Sequence, residues 1–144
     1  MKKVLVVYWS GTGNTEAMAE AIGAGAREVA EREVAVLSVA DVTKEAVLQA
    51  ELLAFGCPAM GNEVLEESEM EPFIESLSGE KGAAEKVALF GSYDWGDGQW
   101  LRDWADRMTD MGFSLLREGL AIQNAPDETG LAECRELGKQ LASS

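Results

Sequence analysis

Residues 8–15 read Tyr-Trp-Ser-Gly-Thr-Gly-Asn-Thr, directly after the apolar run 4–7 and directly before a helix-like segment. Ser10, Thr12 and Thr15 supply hydroxyls, Asn14 supplies an amide, and Gly11 and Gly13 let backbone N–H groups converge. The stretch carries no charge. A strand-to-helix turn of this kind is built to hold a phosphate, because converging amides, hydroxyl donors and the positive end of a helix dipole all favour an anion.

The missing residues narrow the ligand. A triphosphate loop needs Gly-Lys-Ser/Thr, and no Lys or Arg occurs between Lys3 and Arg27. The dinucleotide pattern Gly-x-Gly-x-x-Gly would start at Gly11, but its third glycine is replaced by Glu16, a carboxylate that would sit beside a pyrophosphate. A lone terminal phosphate held by neutral donors fits best. The competing reading is a Gly- and Thr-rich turn with no ligand.

Apolar runs of strand length alternate with amphipathic runs of helix length. Strands are predicted at 4–8, 33–38, 52–56, 86–90 and 113–122, and helices at 15–31, 44–49, 69–78, 99–111 and 128–142. Arg117 and the fragment 119–124 leave open whether the fifth strand is interrupted. Thr43 is expected to cap the second helix, Ser68 with Glu71 to form a capping box for the third, and Asp127 to cap the last. The nearly continuous apolar strands and the β-α alternation predict an α/β, doubly wound, five-stranded parallel sheet with helices on both faces. Ligands of such sheets sit beyond the carboxyl ends of the strands.

Loops after strands 1, 3 and 4 therefore meet at one edge. The second loop is Cys-Pro-Ala-Met-Gly-Asn-Glu at 57–63 and the third is Gly-Ser-Tyr-Asp-Trp-Gly-Asp-Gly at 91–98. Met60 and Trp95, each next to a glycine, can sandwich a flat ring. Taken singly, Met60 reads as core and Trp95 as surface packing; their convergence favours the ring.

The 144 residues suit one domain, 1–144. No apolar run reaches about 18 residues and no secretory cleavage pattern follows Met1, so a soluble cytoplasmic protein is expected. Cys57 and Cys134 form neither a Cys-x-x-Cys pair nor a disulfide framework, which agrees with a reducing compartment. With 26 acidic residues against 12 basic ones, the net charge of −14 repels nucleic acid and anionic membrane. Glu63, Glu66, Glu67, Glu69, Glu71 and Glu75 follow one another without an intervening Lys or Arg. They read as a solvated helix face, or as a surface that steers a basic protein partner toward the site.

The chain resembles the short-chain flavodoxins of clostridial type, small FMN-containing electron carriers. The resemblance rests on Val-Tyr-Trp-Ser-Gly-Thr-Gly-Asn-Thr-Glu ending at Glu16, Gly-Cys-Pro-Ala-Met-Gly ending at Gly61, Glu-Val-Leu-Glu-Glu-Ser from Glu63, Glu-Pro-Phe from Glu71 and Ala-Leu-Phe-Gly-Ser-Tyr from Ala88. It covers nearly the whole length. It implies strand order 2-1-3-4-5, FMN as cofactor, and one-electron transfer at low potential between redox proteins through semiquinone and hydroquinone states.

The same resemblance implies residue roles. Ser10, Thr12, Asn14 and Thr15, with the backbone of Gly11 and Gly13 and the hydroxyl of Ser92, hold the FMN phosphate. Met60 and Trp95 cover the two faces of the ring, Glu63 accepts from ring N3–H, and Asn124 lies near the ribityl chain or ring edge. Pro58, Asn62, Tyr93 and Asp94 complete the expected cofactor-contacting set. Trp9, Tyr93 and Trp100 either line the site or pack around it.

The Gly61 carbonyl is expected to turn toward flavin N5 on protonation. Gly61 tolerates either hand of backbone, and Asn62 suits the positive φ of a type II turn. Asp94 stands where the resembled family often has glycine; if positive φ is needed there, Asp is the poorer occupant. A flavin-dependent reductase is the alternative from another class, but the chain offers no insertion to build a substrate pocket. A phosphoacceptor receiver would need acids where Ser10 and Thr12 stand. A non-redox binding module stays open. No catalytic residue or metal is expected, and the protein is expected to be a monomer.

Overall fold

The computed structural model describes residues 1–61 and 63–144. Five strands, β1 (Lys2–Tyr8), β2 (Arg32–Ser38), β3 (Leu52–Gly56), β4 (Lys86–Tyr93) and β5 (Leu120–Gln123), form one sheet in the order β2-β1-β3-β4-β5. All pairings are parallel. The helices are α1 (Asn14–Arg27), α2 (Lys44–Gln49), α3 (Met70–Ser76), α4 (Gln99–Asp110) and α5 (Glu128–Ala142).

Alternate residues of the central strands enter two separate cores, as the period of a strand requires. Leu5, Val7, Leu53, Phe55, Val87 and Leu89 pack beneath Met70, Ile74, Trp100, Trp104 and Met108 of α3 and α4. Val4, Val6, Leu52, Ala54, Ala88 and Phe90 pack beneath Met18, Ile22, Leu137 and Leu141 of α1 and α5. The α1–α5 contact is close: a Cβ on Gly25 would strike the Arg135 carbonyl, and one on Gly138 the Ile22 carbonyl. Both glycines are used for approach between helix backbones.

Three local expectations change. The fifth strand is interrupted: Val87 pairs with Leu115, and regular pairing resumes only at Phe90 with Leu120. The fifth segment carries two more residues than β4 over that rise, and residues 117–119 loop outward. The first helix ends at Arg27 rather than 31, because Glu28 and Val29 donate to the Gly25 and Ala26 carbonyls, tightening the last turn. Glu31, at φ 60°, then turns the chain into β2.

The third correction concerns the start of α3. Ser68 is not its cap, and the run of glutamates is not a solvated helix face throughout. Met70 opens the helix, so Ser68 lies too early, and the buried Glu66 carboxylate takes over. Its Oε1 accepts from the Glu69 and Met70 amides at 2.6 and 3.2 Å, and its Oε2 from the Ser68 amide and hydroxyl at 2.8 and 2.5 Å. Thr43 and Asp127 do cap α2 and α5, accepting from Ala46 N and Gly130 N.

Burial opposes ionisation of Glu66, but the hydrogen bonds from Ser68, Glu69 and Met70 outweigh it and hold the carboxyl below its ordinary value of 4.5. A lowered folded pKa stabilises fully above the unfolded value and is lost as pH falls through the folded one. Glu66→Ala should cost about 2 kcal/mol in urea unfolding at neutral pH. The difference from the parent chain should shrink below pH 4.5; a pH-independent difference would show that the ionised cap is not its source.

Candidate functional site

The carboxyl ends of β1, β3 and β4 deliver three segments to one edge. The ladder runs past the strands themselves: Trp9 N donates to Gly56 O at 3.0 Å, Cys57 N to Phe90 O at 3.2 Å and Ala59 N to Ser92 O at 3.0 Å. Gly91, Ser92 and Tyr93, expected in the third loop, are the last residues of β4.

In the first segment Gly13 adopts φ 95° and is the N-cap of α1, so the amides of the first helical turn face the loop without intrahelical acceptors. Ser10 Oγ accepts from Gly13 N at 3.1 Å and sets this turn. Thr15 is buried, and its hydroxyl pairs with that of Ser92 at 3.0 Å, tying the loop to β4. Glu16 is exposed and takes the Tyr8 hydroxyl at 3.1 Å. Partial burial and then this bond raise the Tyr8 pKa.

In the second segment Met60 and Val64 exchange hydrogen bonds at 3.0 and 3.1 Å, closing a short hairpin. Positive φ falls on Gly61 (43°) and Glu63 (56°). The position expected to carry it, Asn62, lies outside the described residues. Behind this hairpin Trp100 Nε1 donates to Cys57 O at 3.1 Å, and its ring meets that of Tyr93 at 5.6 Å between centroids. Burial pushes the Cys57 thiol up to about 12, and likewise Cys134, so both stay neutral.

Two adjoining cavities open between these segments. One, of about 150 Å3, is lined by Gly11, Thr12, Asn14, Pro58, Met60, Ser92, Tyr93 and Asp94, together with Trp9 and Ala59. The other, of about 250 Å3, is lined by Met60, Gly61, Glu63, Asp94 and Trp95, together with Ala59. Ser10, Gly13, Thr15 and Asn124 line neither. The first three shape the phosphate loop or anchor it, and Asn124 sits beside the site through Asn124 N to Tyr93 O at 2.7 Å, with φ 60°. A larger space of about 620 Å3 beside α3 and α4 is lined by Glu75, Asp103, Asp106, Arg107 and Asp110, among others, and by none of the expected cofactor-contacting residues.

Ala59, to which the sequence assigns no role, and Trp9, for which it leaves lining and packing open, both line the first cavity. Their signal was position alone, each next to a strand end or turn. Trp9 is fixed by its Nε1 donating to Glu69 Oε1 at 3.2 Å, and its ring lies against Gly11. Asp94 is not in the left-handed region, so glycine is not required there; it is exposed at the rim shared by both cavities.

Glu63 Oε1 is buried and has no hydrogen-bond partner among the described residues. An acceptor-only carboxylate oxygen in this state calls for an N–H donor from a ligand. The arrangement suits a molecule with a phosphate at one end and a flat, partly apolar ring bearing an N–H at the other.

The flavodoxin family model matches residues 6–138. The chain belongs to the flavodoxin family. It is 51% identical to the flavodoxin of Clostridium beijerinckii over 138 residues, which is 96% of this chain and 98% of that one. It is 44% identical to the Megasphaera elsdenii flavodoxin over 142 residues, covering 98% and 99% of the two chains. The solution structure of the two-electron reduced Megasphaera elsdenii flavodoxin superposes with a TM-score of 0.82 at 41% identity, covering 98% of this chain and 99% of that one. Flavodoxins bind FMN and carry electrons between proteins; this one is an electron carrier rather than an enzyme. Neutral phosphate donors, a cavity flanked by Met60 and Trp95, and the unpaired Glu63 oxygen all fit FMN. No helix among the described residues is long and apolar enough to cross a membrane.

The Thr15–Ser92 pair joins the phosphate loop of this flavodoxin to its sheet. Thr15→Val should cost about 1–2 kcal/mol in urea unfolding, because the buried Ser92 hydroxyl loses its partner. Adding Ser92→Ala should recover part of that loss, and strict additivity of the two changes would argue against the pair.

Proposed function

We propose that residues 1–144 act as one FMN-binding unit, a cytoplasmic monomer that carries electrons one at a time and at low potential between redox proteins. The observation that carries this reading is the buried Glu63 Oε1, without a hydrogen-bond partner among the described residues, on a residue that lines the cavity flanked by Met60 and Trp95. FMN, when bound, supplies the ring that accepts and returns electrons.

The chain supplies the surroundings. Ser10, Thr12, Asn14 and Thr15, with the amides around Gly11 and Gly13, take the phosphate, assisted by Ser92. Met60 and Trp95 cover the ring faces and exclude water. Pro58 and Tyr93 wall the space between phosphate and ring, and Asn124 approaches the ribityl chain. Glu63 accepts from N3–H. Gly61 would stand next to the ring, where glycine allows the peptide to reorient.

Low potential follows from charge. Glu63 and Asp94 stand at the ring cavity, and a negative charge at 4 Å costs an added electron about 1 kcal/mol in water and about 4 kcal/mol at an effective dielectric of 20. The partners are redox proteins with basic patches, since Glu67, Glu69, Asp94 and Asp97 are exposed on the segments that carry the site and Trp95 is 63% exposed among them. The buried, neutral thiols of Cys57 and Cys134 agree with a reducing cytoplasm.

Anaerobic dithionite titration of the FMN-loaded protein tests the reading. Two resolved one-electron steps are expected; a single two-electron step would favour a flavin-dependent reductase. Glu63→Ala should weaken FMN binding by about one to two orders of magnitude, the worth of a hydrogen bond to a charged acceptor.

Asp94→Gly should raise the potential of the second electron by about 40 mV, corresponding to about 1 kcal/mol of relieved repulsion. The shift should shrink in high salt, because Asp94 is exposed. An unchanged potential at low salt would show that its carboxylate is fully solvated.

A further inference from the structure

Glu63 lines space on two sides. In front is the ring cavity; behind it, between α4 and the 63–71 segment, is a separate cavity of about 150 Å3. Trp104 of α4 lines this rear cavity and is 2% exposed. Its indole Nε1–H is buried and, like Glu63 Oε1, has no hydrogen-bond partner among the described residues. Glu71, Asp103 and Arg107 supply the polar rest of the lining. Arg107 is held by the two Glu71 oxygens at 2.8 and 2.7 Å.

A buried donor left unpaired costs about 1–3 kcal/mol. A cavity of this size with Glu63, Glu71, Asp103 and Arg107 in its wall accommodates ordered water. We propose that water in the rear cavity bridges Trp104 Nε1–H to the Glu63 carboxylate, making Trp104 a positioning residue for the acceptor that faces the cofactor. The proposal rests on Glu63 serving the ring as an acceptor. The donor–acceptor balance closes: water accepts from the indole and donates to Glu63, and its second proton goes to Glu71 or Asp103.

Trp104→Phe keeps an aromatic ring in the core and removes only the indole donor and its extra carbons. It should raise the FMN dissociation constant about fivefold in the parent chain, and by less than twofold when added to Glu63→Ala. In the intact, 15N-labelled, FMN-loaded protein the Trp104 indole N–H should show a cross-peak with water, and its resonance should move in Glu63→Ala. That second measurement decides the matter even if Trp104→Phe does not fold. An indole N–H that shows no water contact and is indifferent to Glu63→Ala overturns the proposal, as does an equal effect of Trp104→Phe in both backgrounds. If Glu63→Ala leaves FMN affinity unchanged, the reading of Glu63 itself has failed, and the positioning role falls with it. If Glu63→Ala weakens FMN while Trp104→Phe does nothing, only the water bridge is lost.

Discussion

Three buried strands, β1, β3 and β4, pair in parallel and in register, so their carboxyl ends must leave the sheet along one edge. Everything functional in this protein depends on that constraint. Residues far apart in sequence, such as Thr15 and Ser92, become hydrogen-bond partners because their strands end side by side. The backbone bonds from Trp9, Cys57 and Ala59 extend the ladder beyond the strands and carry its rigidity into the segments that line the two cavities. Packing on both faces of the sheet holds the edge in place.

Against this frame the site divides into a rigid and a compliant part. The phosphate loop is anchored by Thr15 and Ser10 and opens directly into α1, so its amides are preorganised. The 60–64 hairpin is held at its ends by the Met60–Val64 bonds and carries positive φ at Gly61 and Glu63. Downstream, Glu66 pins the chain to the start of α3 through four hydrogen bonds. A carrier benefits from that arrangement, since little structure must rearrange with each electron.

Charge is separated in the same way. The phosphate loop is neutral, while acids crowd the remaining surface, and Arg107 ties α4 to Glu71 and Glu75 of α3. The bonds to Glu71 keep the Arg107 pKa raised despite its partial burial. An acidic surface disfavours added negative charge at the ring.

The sequence alone carried the sheet, its helices, the charge-free turn after β1, the convergence of Met60 and Trp95, and the caps Thr43 and Asp127, because each is written in local chemistry: nearly continuous apolar runs, a glycine turn, a side-chain oxygen just before a helix. Glu66 escaped that reading, since Ser68 and Glu71 satisfy the capping pattern by spacing, and only folding shows which carboxylate is buried and faces the free amides. The break in the fifth strand stayed open for a like reason: its extra residues are measured against β4, a distant segment. Nor does spacing reveal that Asp94 avoids positive φ, or that Glu63 and Trp104, some forty positions apart, line one cavity with unpaired polar atoms. Local sequence determines which elements form and what chemistry each loop offers; burial and the satisfaction of hydrogen bonds depend on neighbours across the fold, and those the tertiary structure alone decides.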